Sequence, residues 1–320
     1  MNTIGIDLGG THAMAALVDD SGKIVARNEQ DIEDRSFESV IKTIVTVVHG
    51  VLDGAGEKKI PAIGLGSPGN VELASGAIRY SPNFGWKDVP LGARLSQELG
   101  VPVHVGNDAR CATLGEHTFG TGQGTRDFVL LTLGTGIGGG IVADGTLVLG
   151  HGDGAGEIGH HQIRASDGFI CACGKTGCFE AQASGTGLLR HAFAVAPSFP
   201  RSTLLTQRPP EKLGTKAIRK AAEAGDLHAL AAWRRYTEDL AIGLGNIIAF
   251  VNPETIALGG GLSSAGDFML AAVRPRVDEL TTMSPRGQTN IVTAALGNDA
   301  GAIGAAVMGR RGGLAPRASE

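Results

Sequence analysis

The chain lacks a long apolar run, a block of basic residues and a Walker-type phosphate loop, and each absence narrows what it can be. No uncharged apolar stretch reaches the ~18 residues needed to cross a bilayer. Met1 leads directly into a predicted strand and not into a secretory leader. A formal charge of −4 with no basic cluster argues against a nucleic-acid surface. Nothing matches G-x-x-x-x-G-K-[ST]. Cysteine is scarce, but three of the four fall within eight residues, a clustering that reads as a metal site before a disulfide and points to the cytoplasm. With 320 residues, 42% of them hydrophobic and 19% charged, the composition is that of an ordinary globular protein with room for two domains.

What the chain has in quantity is glycine, at 50 residues. They are neither periodic nor mixed evenly with proline, which excludes collagen and disorder. They gather in short runs between apolar segments, some marking tight turns and others suited to backbone that must approach phosphate.

Residues 3–8 (TIGIDL) read as a buried strand that ends on the turn Gly9-Gly10-Thr11. Two further strands follow, parted by the hairpin signal Ser21-Gly22. Helical periodicity over 36–53 places Phe37, Val40, Ile41, Ile44, Val47, Val48 and Val51 on one face. PAIGLGSPG (61–69) is a strand into a Gly-Pro loop. A helix over 91–99 precedes the strand of VPVHVGND (101–108). From Asp127 the pattern of strand, glycine turn and strand restarts, an internal echo that points to two similarly built domains. Residues 196–215 hold four of the 13 prolines and read as a loop. Residues 216–250 read as helical, 255–263 (TIALGGGLS) as a strand into a triple-glycine turn, and 312–320 as a frayed tail.

His160, Cys171, Cys173 and Cys178 form a Cys3His set, a closed ligand shell for tetrahedral zinc. The glycines of Cys-x-Cys-Gly-x-x-Gly-Cys permit the tight knuckle that such spacing needs. A Cys171–Cys178 disulfide, or idle loop cysteines, is the competing reading. Glu157 and Glu180 flank the motif and suggest that the pinned loop belongs to a site.

Three glycine-rich turns each follow a predicted strand: Asp7-Leu-Gly-Gly-Thr11, Gly134-Thr135-Gly136 and its continuation to Gly140, and Gly259-Gly260-Gly261. Their backbone N–H groups could cradle an oligophosphate. Residues 134–139 match G-x-G-x-x-G formally, but the strand expected after them speaks against a Rossmann site. Asp7, at a strand end, suits a carboxylate associated with magnesium through water, or simply the start of a turn. Asn107-Asp108 ends another strand. It suits proton abstraction from a hydroxyl, or the N-cap of the helix beginning near Ala109, or both. Asn83 adds a polar group suited to a polyhydroxylated ligand, and Cys111 reads as a buried small hydrophobe.

Taken together, DLGGT, SPG (67–69), NFGW (83–86), GNDAR (106–110), LGTGIGGG (133–140), GEIGH (156–160), CACGKTGCFEAQASG (171–185) and LGGGLS (258–263) occur in the order found in the ROK family of sugar kinases. The chain resembles that family, and within it the bacterial ATP-dependent glucokinases, over roughly residues 3–308. The resemblance implies an α/β, actin/hexokinase-like (RNase H-like) fold of two domains with mixed β-sheets and an interdomain cleft that closes on sugar. The domains would be a small N-terminal one at 1–118, joined by a C-terminal helix at about 300–311, and a large one at 119–299 carrying the zinc motif.

The resemblance further implies transfer of the ATP γ-phosphoryl group to the 6-hydroxyl of glucose, with Asp108 as general base and Asn107 on an adjacent hydroxyl. Glu157, His160 and Glu180 would contact the sugar, with Asn83 and Gly69 lining the pocket. His160 would give one ring nitrogen to a structural zinc and the other to sugar. Asp7, Gly9, Gly10, Thr11, Gly134, Thr135 and Gly136 would hold Mg2+ and ATP phosphates, with Gly260 and Gly261 near the adenosine. A homodimer or homotetramer is implied, with no nucleic-acid or membrane partner. Two positions depart from the family pattern: His12 stands where a lysine is common, and Arg110 turns the usual NDAN into NDAR. N-acetylmannosamine is the alternative sugar, ahead of N-acetylglucosamine, fructose and allose. A non-catalytic sensor or repressor is the reading from another class, disfavoured because the first strand begins at residue 3.

Overall fold

The computed structural model describes residues 2–56, 62–205 and 214–314. The first strand, β1 (Thr3–Leu8), pairs antiparallel with β2 (His12–Val18) and parallel with β4 (Ile63–Ser67). β2 turns back into β3 (Ile24–Asp31), and β4 pairs in parallel with β8 (Val103–Asn107), giving the order β3-β2-β1-β4-β8. The central strands read as continuous apolar runs because both faces are covered.

One face takes α1 (Phe37–Ala55), which buries Val40, Ile41, Ile44, Val47, Val48 and Val51, the stripe its periodicity predicts. The same core receives α2 (Leu91–Leu99) and a small sheet of β5 (Asn70–Glu72), β6 (Ala77–Ser81) and β7 (Trp86–Val89).

The opposite face is packed differently. There α3 (Asp108–Phe119) and α9 (Ala300–Arg311) approach with almost no side chain between them. A Cβ placed on Gly304 would stand 1.6 Å from the Cys111 carbonyl oxygen, and one on Gly64 of β4 would stand 1.7 Å from the Ala305 carbonyl oxygen. Part of the glycine excess therefore serves backbone-to-backbone helix packing, a use beyond the turns and phosphate loops expected from sequence. Cys111 is fully buried in this contact, as anticipated.

The second sheet has the order β11-β10-β9-β12-β13, formed by β9 (Phe128–Leu133), β10 (Ile137–Ala143), β11 (Thr146–Leu147), β12 (Thr255–Gly259) and β13 (Asn290–Thr293). Numbered within themselves, both five-stranded sheets run 3-2-1-4-5, which is the internal echo seen in sequence. The flanking helices are α4 (Phe179–Ala183), α5 (Gly185–Val195), α6 (Thr215–Glu223), α7 (Leu227–Val251) and α8 (Gly266–Leu280). The single helical stretch expected over 216–250 is thus two helices. Gly225 adopts φ +86° and Asp226 caps α7 by accepting the Ala229 N–H at 2.8 Å.

Contacts divide the chain into two units, one of residues 1–126, 140–156 and 295–320, the other of 127–139 and 157–294. Residues 206–213 of the proline-rich loop and 315–320 of the tail lie outside the described residues. Among the described residues no helix is long and apolar enough to cross a membrane.

Candidate active site

In the first unit the site grows from the ends of β1, β4 and β8. Asn107 has the extended backbone of an N-cap, and its Oδ1 accepts the Arg110 N–H at 3.2 Å. Its Nδ2 donates to the Gly69 carbonyl at 3.2 Å. The capping job therefore falls to Asn107, and Asp108 is left as the first residue of α3, its Oδ1 receiving the adjacent Ala109 N–H at 2.8 Å. Gly69 must be glycine: it sits at φ +114°, and a Cβ there would stand 2.3 Å from the Tyr80 carbonyl oxygen.

Asp7 lies close enough to Asp108 to feel its charge. Burial first, then the Asp108 carboxylate, push the Asp7 carboxyl up to about 6, while His12 pulls the other way. His12, placed where the family commonly has lysine, also lies 3.9 Å from Glu29. The turn closes by a 2.9 Å bond from the Gly9 N–H to the His12 carbonyl, and the free side of Gly10 faces Asn83, whose Nδ2 would be 3.1 Å from a Cβ there. Asp7, Gly10, Gly69, Asn107 and Asp108 are thus brought together by three strand ends, and Asn83 joins them from the turn between β6 and β7. Arg110 does not reach toward that cluster: it is buried and donates at 2.6 Å to each of the Asp153 and Ala155 carbonyls.

The second unit holds the other set. Glu157 leads a 3-10 turn, Ile158–His160, and the His160 N–H donates to its carbonyl at 3.1 Å. His160 Nδ1 lies 3.7 Å from Cys171 Sγ, and Cys173 Sγ lies 3.6 Å from Cys178 Sγ. The four ligand atoms all fall within 4.8 Å of one another, and all the cysteines are free. The disulfide alternative therefore has no support in the geometry. Ligand bonds of ~2.0–2.3 Å in a tetrahedron place donor atoms roughly 3.5–3.8 Å apart, so the set fits zinc. Burial, then the neighbouring thiols, push Cys178 up to about 12, an environment in which a bound cation would favour its thiolate.

Glu180 ties this knuckle to the glycine turn. Its Oε2 accepts the Ile137 N–H at 2.9 Å, Oε1 lies 3.7 Å from Cys171 Sγ, and a Cβ on Gly136 would stand 2.3 Å from Oε2. Gly134 and Thr135 are held through their carbonyls by the Gly185 N–H at 2.8 Å and Thr186 Oγ1 at 2.9 Å. Gly260, at φ +79°, lies against Leu133, while Gly261 opens a 3-10 turn with nothing within 4 Å of its missing Cβ. Arg219 of α6 donates to the Ser264 carbonyl of that turn at 2.6 Å. Thr186 and Arg219 were not read from sequence. Thr186 follows the knuckle directly in the run Ala-Ser-Gly-Thr, a signal that was available, whereas Arg219 looks like any helix-surface arginine.

Paired β-sheets of one topology, each presenting glycine turns at strand ends, define the actin/hexokinase-like class. The chain belongs to the ROK family, whose model matches residues 3–311. It is 38% identical to a protein named glucokinase from Halalkalibacterium halodurans, over 94% of this chain and 92% of that one. It is also 38% identical to the Thermotoga maritima glucokinase, with 96% of each covered. A ROK family glucokinase from Streptomyces griseus, solved with glucose and AMPPNP, superposes with a TM-score of 0.85 at 33% identity, covering 97% of this chain and all of that one.

Proposed function

We propose that this protein is an ATP-dependent glucokinase, transferring the γ-phosphoryl group of ATP to the 6-hydroxyl of glucose. The observation that carries the reading is the division of labour at Asn107-Asp108. With the Asn107 side chain capping α3, the Asp108 carboxylate is not needed as the cap, which supports reading it as the base.

Asp108 receives the hydroxyl proton as the oxygen bonds to phosphorus, late in a loose transition state. It stands in the first turn of α3, where a helix dipole favours an anion. The second N–H of Asn107 Nδ2 is free of the Gly69 bond and would meet a neighbouring hydroxyl. Gly69 and Asn83 shape the same pocket, while Glu157, His160 and Glu180 take further sugar hydroxyls. The turns at Gly9–Thr11, Gly134–Gly136 and Gly260–Gly261 would let backbone approach ATP without side chains in the way. Asp7 would serve the accompanying Mg2+, whose charge offsets the burial that now disfavours its ionised form. His160, Cys171, Cys173 and Cys178 would hold a zinc ion that fixes the knuckle and takes no part in proton or phosphoryl movement.

The test is ADP release with Mg-ATP across glucose, N-acetylmannosamine, N-acetylglucosamine, fructose and allose. A kcat/KM highest for glucose supports the reading. A preference for N-acetylmannosamine keeps the mechanism and replaces the substrate. No turnover with any of them in zinc-replete protein refutes the kinase assignment for this panel.

A further inference from the structure

Behind the cysteine knuckle lies an ionisable group that the chemistry above does not use. Asp239, midway along α7, is fully buried, at 0% exposure. Its Oδ1 accepts a 2.5 Å hydrogen bond from Arg164 Nε. Its Oδ2 lies 3.1 Å from His191 Nε2, but off the line of that N–H, which is directed at the Gln182 carbonyl 3.1 Å away. Removing a carboxylate from water costs several kcal/mol, and a well-packed apolar residue would fill such a place at least as stably. What the carboxylate adds is a fixed position for the groups it holds.

Both groups end on the base of the knuckle. The Arg164 N–H donates to the Gly177 carbonyl at 3.2 Å, and the two backbones are so close that a Cβ on Gly177 would stand 1.7 Å from the Arg164 oxygen. The His191 ring packs on Phe169 with centroids 5.0 Å apart, and the Phe169 carbonyl accepts the Gly177 N–H at 2.9 Å. Gly177 directly precedes Cys178, and Glu180 follows in the first turn of α4. The turn at Gly134 and Thr135 meets the knuckle through Glu180 but has further ties of its own, to Gly185 and Thr186.

We propose that Asp239 is a positioning residue for the sugar half of the site, acting through Arg164, with His191 packed beside it, to fix the knuckle that presents His160 and Glu180. The proposal rests on the sugar-kinase reading. It places the larger effect on sugar binding and the smaller on the nucleotide turn, which has further ties of its own.

Asp239→Asn keeps the shape and removes the charge. Steady-state kinetics, at a temperature where circular dichroism shows wild type and variant folded, should give a glucose KM raised by about tenfold, the scale of outer-shell support at metal-linked sites. The kcat should stay within about threefold, and the KM for ATP should move by less than the glucose KM. A purely structural role would lower the folded fraction, and with it kcat, without moving the glucose KM. A second variant guards against simple unfolding. Asp239→Leu combined with Arg164→Met replaces the pair by apolar groups, which restores thermal stability but should leave the glucose KM high. A glucose KM at the wild-type value in both variants overturns the proposal alone. A wild-type protein that phosphorylates no hexose overturns the reading beneath it as well.

Discussion

Asp108→Asn should separate catalysis from folding at this site, because the helix cap is Asn107 and the proposed base is its neighbour. The N-cap of α3 is Asn107, which the substitution leaves in place. The oxygen that accepts the Ala109 N–H at 2.8 Å survives as the amide oxygen. Removing an anion from a first helical turn costs about 0.3–1 kcal/mol. Against this, the Asp108 charge is the largest contribution after burial to the raised Asp7 carboxyl, so its loss relieves Asp7. The two effects oppose one another, and the melting temperature should stay within a few degrees of wild type.

Turnover should not survive so well. A positioned general base is worth roughly 10²–10⁴ in rate, or about 3–5.5 kcal/mol of barrier. Because the proton leaves late, the loss should fall on kcat, with the glucose KM little changed. The assay is coupled ADP release with Mg-ATP and glucose, run beside thermal melts of both proteins. Carboxyl NMR should also show Asp7 titrating below the wild-type value of about 6. Near-normal kcat in the variant refutes the base assignment. Loss of cooperative melting together with activity refutes the claim that Asp108 is dispensable for the fold.

Cys173→Ser is the cleanest probe of the metal, since Cys173 is the exposed member of the set and its sulfur contributes no core packing. Structural zinc contributes on the order of 10 kcal/mol of binding free energy, so metal content, melting temperature and glucose affinity should fall together. Unchanged metal content and melting temperature would reject the site. Asp7 has a folded-state value raised from 3.8 to about 6, so its protonated form favours the native state. That contribution is complete below about pH 4 and is lost as pH rises through about 6, a difference of roughly 3 kcal/mol. Asp7→Asn should therefore melt progressively higher than wild type between pH 4 and 7, and parallel pH dependence of the two melts would reject the raised value. Gly304→Ala should cost more than about 3 kcal/mol, because its Cβ meets the Cys111 carbonyl oxygen at 1.6 Å. Gly54→Ala in α1, with nothing within 4 Å, should be neutral or stabilising by up to about 1 kcal/mol in the same urea titration.

What was legible in the sequence was local. The α1 stripe, the glycine turns, the cysteine knuckle and the Asn107-Asp108 pair each declare themselves within about 20 residues, where spacing and chemistry coincide. What was not legible depends on partners far along the chain. Asp7 reads as a strand-end carboxylate, but its weakened acidity follows from burial beside Gly301, where a Cβ would stand 2.7 Å from its Oδ2. Arg110 could be recognised as a departure from the family pattern, while its acceptors lie some 40 residues downstream. The α6–α7 break was signalled by Gly225-Asp226 and was lost beneath a helical pattern that continues on both sides. Asp239 has the poorest signal of all, since an aspartate within a long helix looks like a solvent-facing residue until its burial is known.

The same division explains why the candidate sugar contacts are already oriented in the free protein. Asn107 commits Oδ1 to the helix and one N–H to Gly69. His160 turns Nδ1 to Cys171, and Glu180 gives Oε2 to the Ile137 N–H. Each candidate contact is held at one atom and keeps further bonding capacity at the same side chain. A ligand meeting such groups loses little side-chain entropy to order them, and misplacement by even 1 Å forfeits much of the gain. On the proposed reading, binding strength would be set as much by the holders as by the contacts: Gly69, the knuckle sulfurs, the Ile137 N–H and, behind them, Arg164 and Asp239. The contacts could be read from a family pattern. Gly69 and the knuckle sulfurs were also legible, whereas the Ile137 N–H, Arg164 and Asp239 are holders that only the fold reveals, and on the proposed reading substitutions there would change hexose preference without touching the candidate contacts.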